Sequence, residues 1–455
     1  MSLNNIIKNY SKIIDQSEIQ KVNFKKFSID TRTIKKGDIF VGLKGENFDG
    51  NEFYANALDK GAAAIVFDKR SFQSKMICGN QSFPYLVVDD CLTFLQEVSR
   101  QHVFEWKSGG GKVVCITGSN GKTTTKEMLY SILKTSFPNE VISTSGNYNN
   151  HIGVPLTLLS IEKKHRFAVV EIGTNSPGEI LFLSQIAQPD LGIITSVGES
   201  HLEKLKDLEG VLKEKLSLFD YITHTSQAKK SCIYVESGIL KRIRGLGYDV
   251  IVQDKNLIKN SDNNYTLKLS GENVVISNKF ITGSHNFLNL SLATTAAFKL
   301  GSPIDSIQKS VQYFKPEDRR SEWRKFQHAD IFCDFYNANP SSMEHSIKAF
   351  VEHVGDKLKS SLFIVGDMYE LGEKSNFYHQ ELGCLMRSLG IGNVIYIGKF
   401  GHHFISGFGK KCETYVCSKE ISLSKRLSKD IEFIFVKGSR RVDLDNIFID
   451  DELIN

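Results

Sequence analysis

The chain has 455 residues, 41% of them hydrophobic, which is enough for two or three domains with their own cores and too apolar for a disordered chain. With 57 basic against 52 acidic residues the formal charge is +5, an excess that suits anionic small molecules and is too weak for a nucleic-acid surface. The eight cysteines (Cys78, Cys91, Cys115, Cys232, Cys333, Cys384, Cys412, Cys417) form no CxxC pairs and have no zinc-spaced histidines, so they read as reduced thiols of a cytoplasmic protein.

At the N-terminus, Ile6, Ile7, Tyr10, Ile13 and Ile14 are spaced like one face of a helix, without the basic start and apolar core of a signal peptide. Nothing in the chain is apolar for long enough to span a membrane. Residues 1–107 alternate short apolar strands ("GDIFVGLKG", "AAAIVFD", "YLVVDD") with helical patterns, which predicts a small α/β domain. "KSGGGK" (Lys107 to Lys112) reads as a hinge. Residues 108–314 carry continuous apolar runs, "KVVCITG", "FAVVEIG" and "LGIITSVG", as strands of a parallel sheet covered on both faces. "YTLKLSGENVVISNKFITG" alternates around Ser270-Gly271-Glu272 and predicts an antiparallel hairpin at the edge of that sheet. After "YFKPEDRRSEWRKF", residues 315–455 form a third, Rossmann-like α/β domain with strands at "ADIFCDFY", "LFIVGDM", "VIYIG" and "EFIFVKGS".

The chemistry starts at "CITGSNGKTTTKEM". A buried strand leads into a helix through Gly118-Ser119-Asn120-Gly121, where glycines permit backbone that side chains block and successive N–H groups can face one anion at the positive end of a helix. Lys122 is placed to reach terminal phosphates, Thr123 to offer a hydroxyl to Mg²⁺, and Thr124 is expected to bind the nucleotide with them. The loop is a shortened variant, because Ile116 stands where the usual spacing has its first glycine. Glu171, after four apolar residues of "FAVVEIG", ends a strand at the ligand-binding edge and can face the same cation. His201 follows another apolar strand in "SVGESHLEKL"; by composition alone a lone histidine is more often structural.

"TGSNGKTT" resembles the ATP loop of the Mur ligases, the bacterial enzymes that build the peptide stem of peptidoglycan, and the similarity runs through most of the chain. It is carried by "DTRTIKKGDIFVGLKGENFDGNEF", "GNYNNHIGVPLTLL", "EIGTNSPGEI", "GSHNFLN", "YNANPSSM" and "KGSR", with "YNANP" the best discriminator among sister ligases. The resemblance implies three domains: a UDP-sugar-binding unit, a central ATP-binding unit, and a Rossmann-like unit. It implies ATP-dependent joining of D-alanyl-D-alanine to UDP-N-acetylmuramoyl-tripeptide through an acyl phosphate, by a monomer with no nucleic-acid partner. It implies a second cation held by His201 and by Lys215 carrying a CO₂-derived carbamate. Here the family's Ala-Lys-Gly-Glu is replaced by Glu-Lys-Leu-Ser, and Lys213 lies close by, so a solvated charged helix face competes with that reading.

The same resemblance implies nucleotide contacts from Asn286, near His285 and Asn289, and from Arg320, Asp334, Tyr336 and Asn339, with Arg319 an alternative to Arg320. It implies a UDP site at Ser28, Asp30, Thr31 and Arg32 beside Lys44 and Gly45, and substrate contacts from Asn149 and Asn150. "GDMYELGE" and "KGSR" are implied at the entry of the dipeptide, without individual roles. The domains are expected to close about the triglycine and residue 314 to exclude water. Two alternatives stay open: a sister ligase that adds a diamino acid or glutamate, and a phosphate-loop ATPase acting on a macromolecule.

Overall fold

The computed structural model describes residues 10, 13–17, 22, 24–74, 83–225, 231–234, 250–252, 257–261, 264–269, 271–281, 283–316, 319–409, 412–425 and 427–448. Three α/β units follow one another. The first is a five-stranded sheet in the order Ile13–Ser17, Tyr85–Val88, Ala64–Asp68, Ile39–Val41, Phe27–Ser28, parallel except for its first pair. Ile13 and Ile14 therefore belong to a strand and not to the helix their spacing suggested: Ile13 pairs with Val88. Ile6 and Ile7 lie outside the described residues.

The second unit is a six-stranded parallel sheet ordered Val250–Val252, Ser231–Tyr234, Leu191–Ile194, Lys112–Thr117, Phe167–Glu171, Val141–Ser143. Lys112–Thr117 and Phe167–Glu171 are buried along almost their whole length, which is why they read as unbroken apolar runs instead of alternating ones. The predicted hairpin exists, Asn264–Leu269 against Glu272–Ser277, with Ser270 outside the described residues. It is not an edge of the large sheet. With Leu257–Ser261 it makes a separate three-stranded sheet. Its buried Leu267, Leu269, Val274 and Ile276 pack with Phe287 and Leu290 of the helix Ser284–Lys299, and Tyr265 stacks on Phe287 at 3.8 Å. One apolar face needs one cover, and that helix supplies it.

The third unit orders Glu322–Phe326, Ala329–Cys333, Phe433–Lys437, Ser361–Gly366, Val394–Ile397, Glu413–Tyr415, parallel after the first antiparallel pair. The triglycine is a short turn between the helix Cys91–Ser108 and the strand Lys112–Thr117. That helix is fastened to the central unit: Trp106 Nε1 donates to the His165 carbonyl at 2.8 Å, and Lys107 pairs with Asp190 at 3.0 Å. A side chain at Gly111 would strike the Trp106 ring.

Candidate active site

The carboxyl ends of the central strands and those of the third sheet face one cleft of about 420 Å³. Strand order places Lys112–Thr117 between Leu191–Ile194 and Phe167–Glu171, so successive connections run to opposite sides of it and a crevice opens at its end. The turn that follows requires both glycines. Gly118 has φ +154°, and a Cβ there would sit 1.9 Å from Thr195 Oγ1; Gly121 has φ +80°, and its Cβ would sit 2.3 Å from Asn289 Oδ1.

Not every amide of the turn is available to an anion. Ser119 N–H donates to the Ser196 carbonyl and Asn120 N–H to Ser196 Oγ, both at 2.9 Å. The expected nest from Gly118 to Gly121 is thus pinned to the end of the strand Leu191–Ile194, since backbone donors in a buried turn cannot be left unpaired. The anion-facing donors move one turn on, to the start of the helix Lys122–Ser136, where first-turn amides have no intrahelical acceptor. Lys122 folds back, donating to the Gly118 carbonyl at 2.8 Å, and burial holds its ammonium below the usual lysine range.

Thr123 and Glu171 meet as expected: Thr123 Oγ1 donates to Glu171 Oε2 at 2.8 Å, and both residues are buried. The other carboxylate oxygen accepts from Asn149 Nδ2 at 2.7 Å. Behind them Lys126, fully buried, donates to the Thr144 carbonyl at 2.7 Å, while Thr144 Oγ1 accepts the Glu171 amide at 3.0 Å. The sequence reading overlooked Lys126; its one signal was a lysine at i+4 from Lys122, inside an apolar helix face. Asn150 borders the cleft with its amide oxygen already engaged. Its Oδ1 accepts the amides of Ile152 and Gly153 and starts the helix Gly153–Leu159.

From Ser119 through Thr124, the loop lines the cleft with Asn149, Asn150, Glu171, His201, His285, Asn286, Asn289, Arg320, Asp334, Tyr336 and Asn339. Arg320 stacks 3.6 Å over Tyr336, whereas Arg319 turns away to pair with Asp445 at 2.7 Å; of the two arginines only Arg320 borders the cleft. Asp334 is already satisfied: Oδ1 accepts the Ser321 amide at 3.1 Å, and Oδ2 accepts Ser346 Oγ and Lys437 Nζ, both at 2.7 Å. Asn339 caps the helix Pro340–Val354, its Oδ1 accepting the Ser342 amide, and its Nδ2 donates to Asn120 Oδ1 at 2.8 Å, tying the third unit to the phosphate loop. Burial pushes the His285 imidazole down to about 4, so the ring is neutral at pH 7.

"KGSR" is divided. Lys437 enters the cleft through Asp334, while Ser439 Oγ accepts the Tyr369 amide at 3.1 Å. Glu370 of "GDMYELGE" lies across from His201, Oε2 to Nδ1 2.6 Å.

Lys215 is almost fully buried on the helix Leu208–Thr225 and does not border the cleft. Burial, and then the charge of Lys122, push its amine down to about 7. A solvated helix face is thereby ruled out for this residue. Beside it Glu214, one of three residues here that depart from the family pattern, accepts the amides of Gly178 at 2.6 Å and Ile180 at 2.8 Å and caps the helix Glu179–Ala187. The proposed UDP residues stand apart from the cleft. Asp30 grips Arg32 (Nη2 to Oδ2 2.7 Å), Ser28 Oγ donates to the Asp30 carbonyl, Lys60 Nζ donates to the Thr31 carbonyl at 2.7 Å, and Lys44 and Gly45 form a tight turn closed by Asp49 and Phe48.

The fit to a cation is one of donor chemistry. Thr123 and Glu171 offer oxygen atoms, as a hard divalent ion requires. Among the described residues no three His, Cys, Asp or Glu side chains cluster, so a cation here would be held by few protein ligands and by its substrate.

Comparison with known proteins gives one answer. The Mur ligase middle domain family matches residues 116–297 and the Mur ligase family catalytic domain residues 23–102. The chain is 32% identical over 445 residues to the UDP-N-acetylmuramoyl-tripeptide--D-alanyl-D-alanine ligase of Bacillus subtilis, 92% of each chain being covered. It is 27% identical to that of Escherichia coli, over 92% of this chain and 91% of the other. Its structure is similar to MurF from Acinetobacter baumannii (TM-score 0.80, 26% identity, 94% and 93% of the two chains). It is also similar to MurF ligase from Thermotoga maritima in complex with ADP (TM-score 0.77, 25% identity, 93% and 96%).

Proposed function

The chain belongs to the Mur ligase family, and from that premise we propose that it joins D-alanyl-D-alanine to a UDP-N-acetylmuramoyl-tripeptide at the expense of ATP, in the cytoplasmic stage of peptidoglycan synthesis. The observation that carries the reading is near-full-length similarity to ligases of that name together with a phosphate loop facing a second α/β unit across one cleft. ATP phosphorylates the terminal carboxylate of the tripeptide; the amine of the dipeptide attacks the acyl phosphate; phosphate leaves and an amide remains.

The first-turn amides of Lys122–Ser136 and the Lys122 ammonium stabilise charge on the phosphoryl oxygens, in a site where burial strengthens each interaction. No protein nucleophile is needed, so positioning does most of the work. Thr123 and Glu171 would hold Mg²⁺, which when bound neutralises charge on the transferring phosphoryl group. Arg320 and Tyr336 would border the nucleotide, and neutral His285 and Asn286 line the same cleft. Ser28, Asp30, Thr31, Arg32, Lys44 and Gly45 would receive the UDP end. The near-neutral pKa of Lys215 supports a further step: a buried neutral amine adds CO₂, forming an N–C bond and losing a proton, and the carbamate replaces a repelling ammonium with an anionic oxygen ligand.

The test is phosphate release from ATP with purified protein. Release that requires both UDP-N-acetylmuramoyl-tripeptide and D-alanyl-D-alanine is the expected result. Release supported equally by a free diamino acid or glutamate, or by a macromolecule alone, overturns it.

A further inference from the structure

Glu370 belongs to "GDMYELGE", a motif to which neither the sequence nor the mechanism gives a role. The turn carrying it follows the strand Ser361–Gly366 and is tied to its own unit at every preceding residue. Asp367, fully buried, accepts Tyr396 OH at 2.7 Å and the Lys399 amide at 3.0 Å. The Met368 amide donates to Nε2 of buried His379, whose Nδ1–H donates in turn to the Ser375 carbonyl at 2.6 Å. The Tyr369 amide donates to Ser439 Oγ. Glu370 then takes a left-handed backbone, φ +65°, rare for a residue with a side chain, and meets the central unit. Its carbonyl accepts the Glu203 amide at 3.3 Å, and its carboxylate stands 2.6 Å from His201 Nδ1.

That distance dictates a tautomer. The Glu370 carboxylate is the acceptor that stands at this nitrogen. His201 Nδ1 is buried and has no other acceptor among the described residues. A bare nitrogen lone pair facing an anionic oxygen at 2.6 Å is repulsive, whereas an N–H there is attracted. The proton therefore sits on Nδ1. His201 itself lines the phosphate cleft, and Nε2 is the nitrogen not taken up by Glu370.

We propose that Glu370 is a positioning residue for His201: by holding the Nδ1–H form it presents Nε2 with its lone pair to a divalent cation in the cleft. Metal-binding histidines are commonly oriented by a carboxylate on the second nitrogen. Because Glu370 and His201 belong to different units, the cation ligand is completed only when the third unit sits against the central one. The inference rests on the ligase reading to the extent that this cleft takes a divalent cation.

The experiment uses the full chain with ¹⁵N-labelled histidine, free of metal, with His201→Gln to assign the signal. The wild type is expected to show His201 protonated on Nδ1. Glu370→Ala retains the backbone bond to Glu203 and is expected to shift the ring toward the Nε2–H form. It is also expected to weaken Mn²⁺ binding in the presence of ADP by about tenfold or more. Glu370→Gln retains an oxygen acceptor and is expected to restore the tautomer and most of the affinity, which a merely structural loss would not allow. An unchanged His201 signal in folded Glu370→Ala overturns the proposal. A wild type that binds neither Mn²⁺ nor ADP counts instead against the ligase reading, and the metal-free tautomer still decides this one.

Discussion

Two parallel sheets present their carboxyl edges to the same cleft, and they use them differently. At the central edge, the polar groups are poised: a helix start with first-turn amides, a lysine folded onto its own loop, and a hydroxyl against a carboxylate. At the third-unit edge, they are spent. Asp334 is closed by Lys437, Ser346 and Ser321, and Asp367 by Tyr396 and two amides. One edge is built to receive charge, and the other to hold shape and carry a few side chains, Arg320 and Glu370 among them, across the gap. Glu171 accepts one hydrogen bond on each oxygen, whereas Asp334 accepts three and is paired with a buried lysine, so the two strand-end carboxylates differ in what they have left to offer.

The contrast breaks hardest at Lys437. Lys437→Met leaves Asp334 with its nearest cation gone at a side chain only 15% exposed, and is expected to cost about 3–5 kcal/mol of stability, read as a fall in the denaturant midpoint. A loss below 1 kcal/mol would show that this edge is not held by its charge pair. At the other edge Lys122→Ala is expected to leave folding near wild type and lower kcat by about 10²- to 10³-fold. Unchanged turnover would remove the distinction between the two edges.

Lys215 sharpens the comparison through pH. Its amine titrates near 7 in the fold against about 10.5 when unfolded, so between those values the unfolded chain binds the extra proton and stability rises with pH. In CO₂-free buffer the stability–pH slope across that window is expected to flatten in Lys215→Met. An identical slope in both proteins rejects the burial argument. Smallest is Arg319→Ala, which removes a half-exposed pair with Asp445 and is expected to change stability by no more than about 1 kcal/mol with nucleotide affinity intact. Arg320→Ala is expected to raise the KM for ATP clearly; the reverse ranking would reassign the two arginines.

What was legible in the sequence follows from short-range rules. Val113 to Ile116 and Val169 to Val170 are apolar on both faces, and only a doubly covered strand tolerates that. Gly118 and Gly121 announced a turn no side chain could make, and Lys122 with Thr123 announced its ligand. The misreading at the N-terminal strand has a long-range cause. Ile13 and Ile14 carry helical spacing in a segment whose strand partner, Val88, lies far along the chain.

Sequence alone therefore determined the buried central strands and the phosphate turn, because each depends on residues within a few positions of one another. Tertiary structure alone decided that Ser196 takes the loop's amides, that Lys437 closes Asp334, that Lys215 is buried near Lys122, and that Glu370 meets His201. Those outcomes turn on which hydrogen-bonding groups the packing brings within 3 Å, and a lone pair or a proton is committed only once its neighbour from a distant segment has arrived.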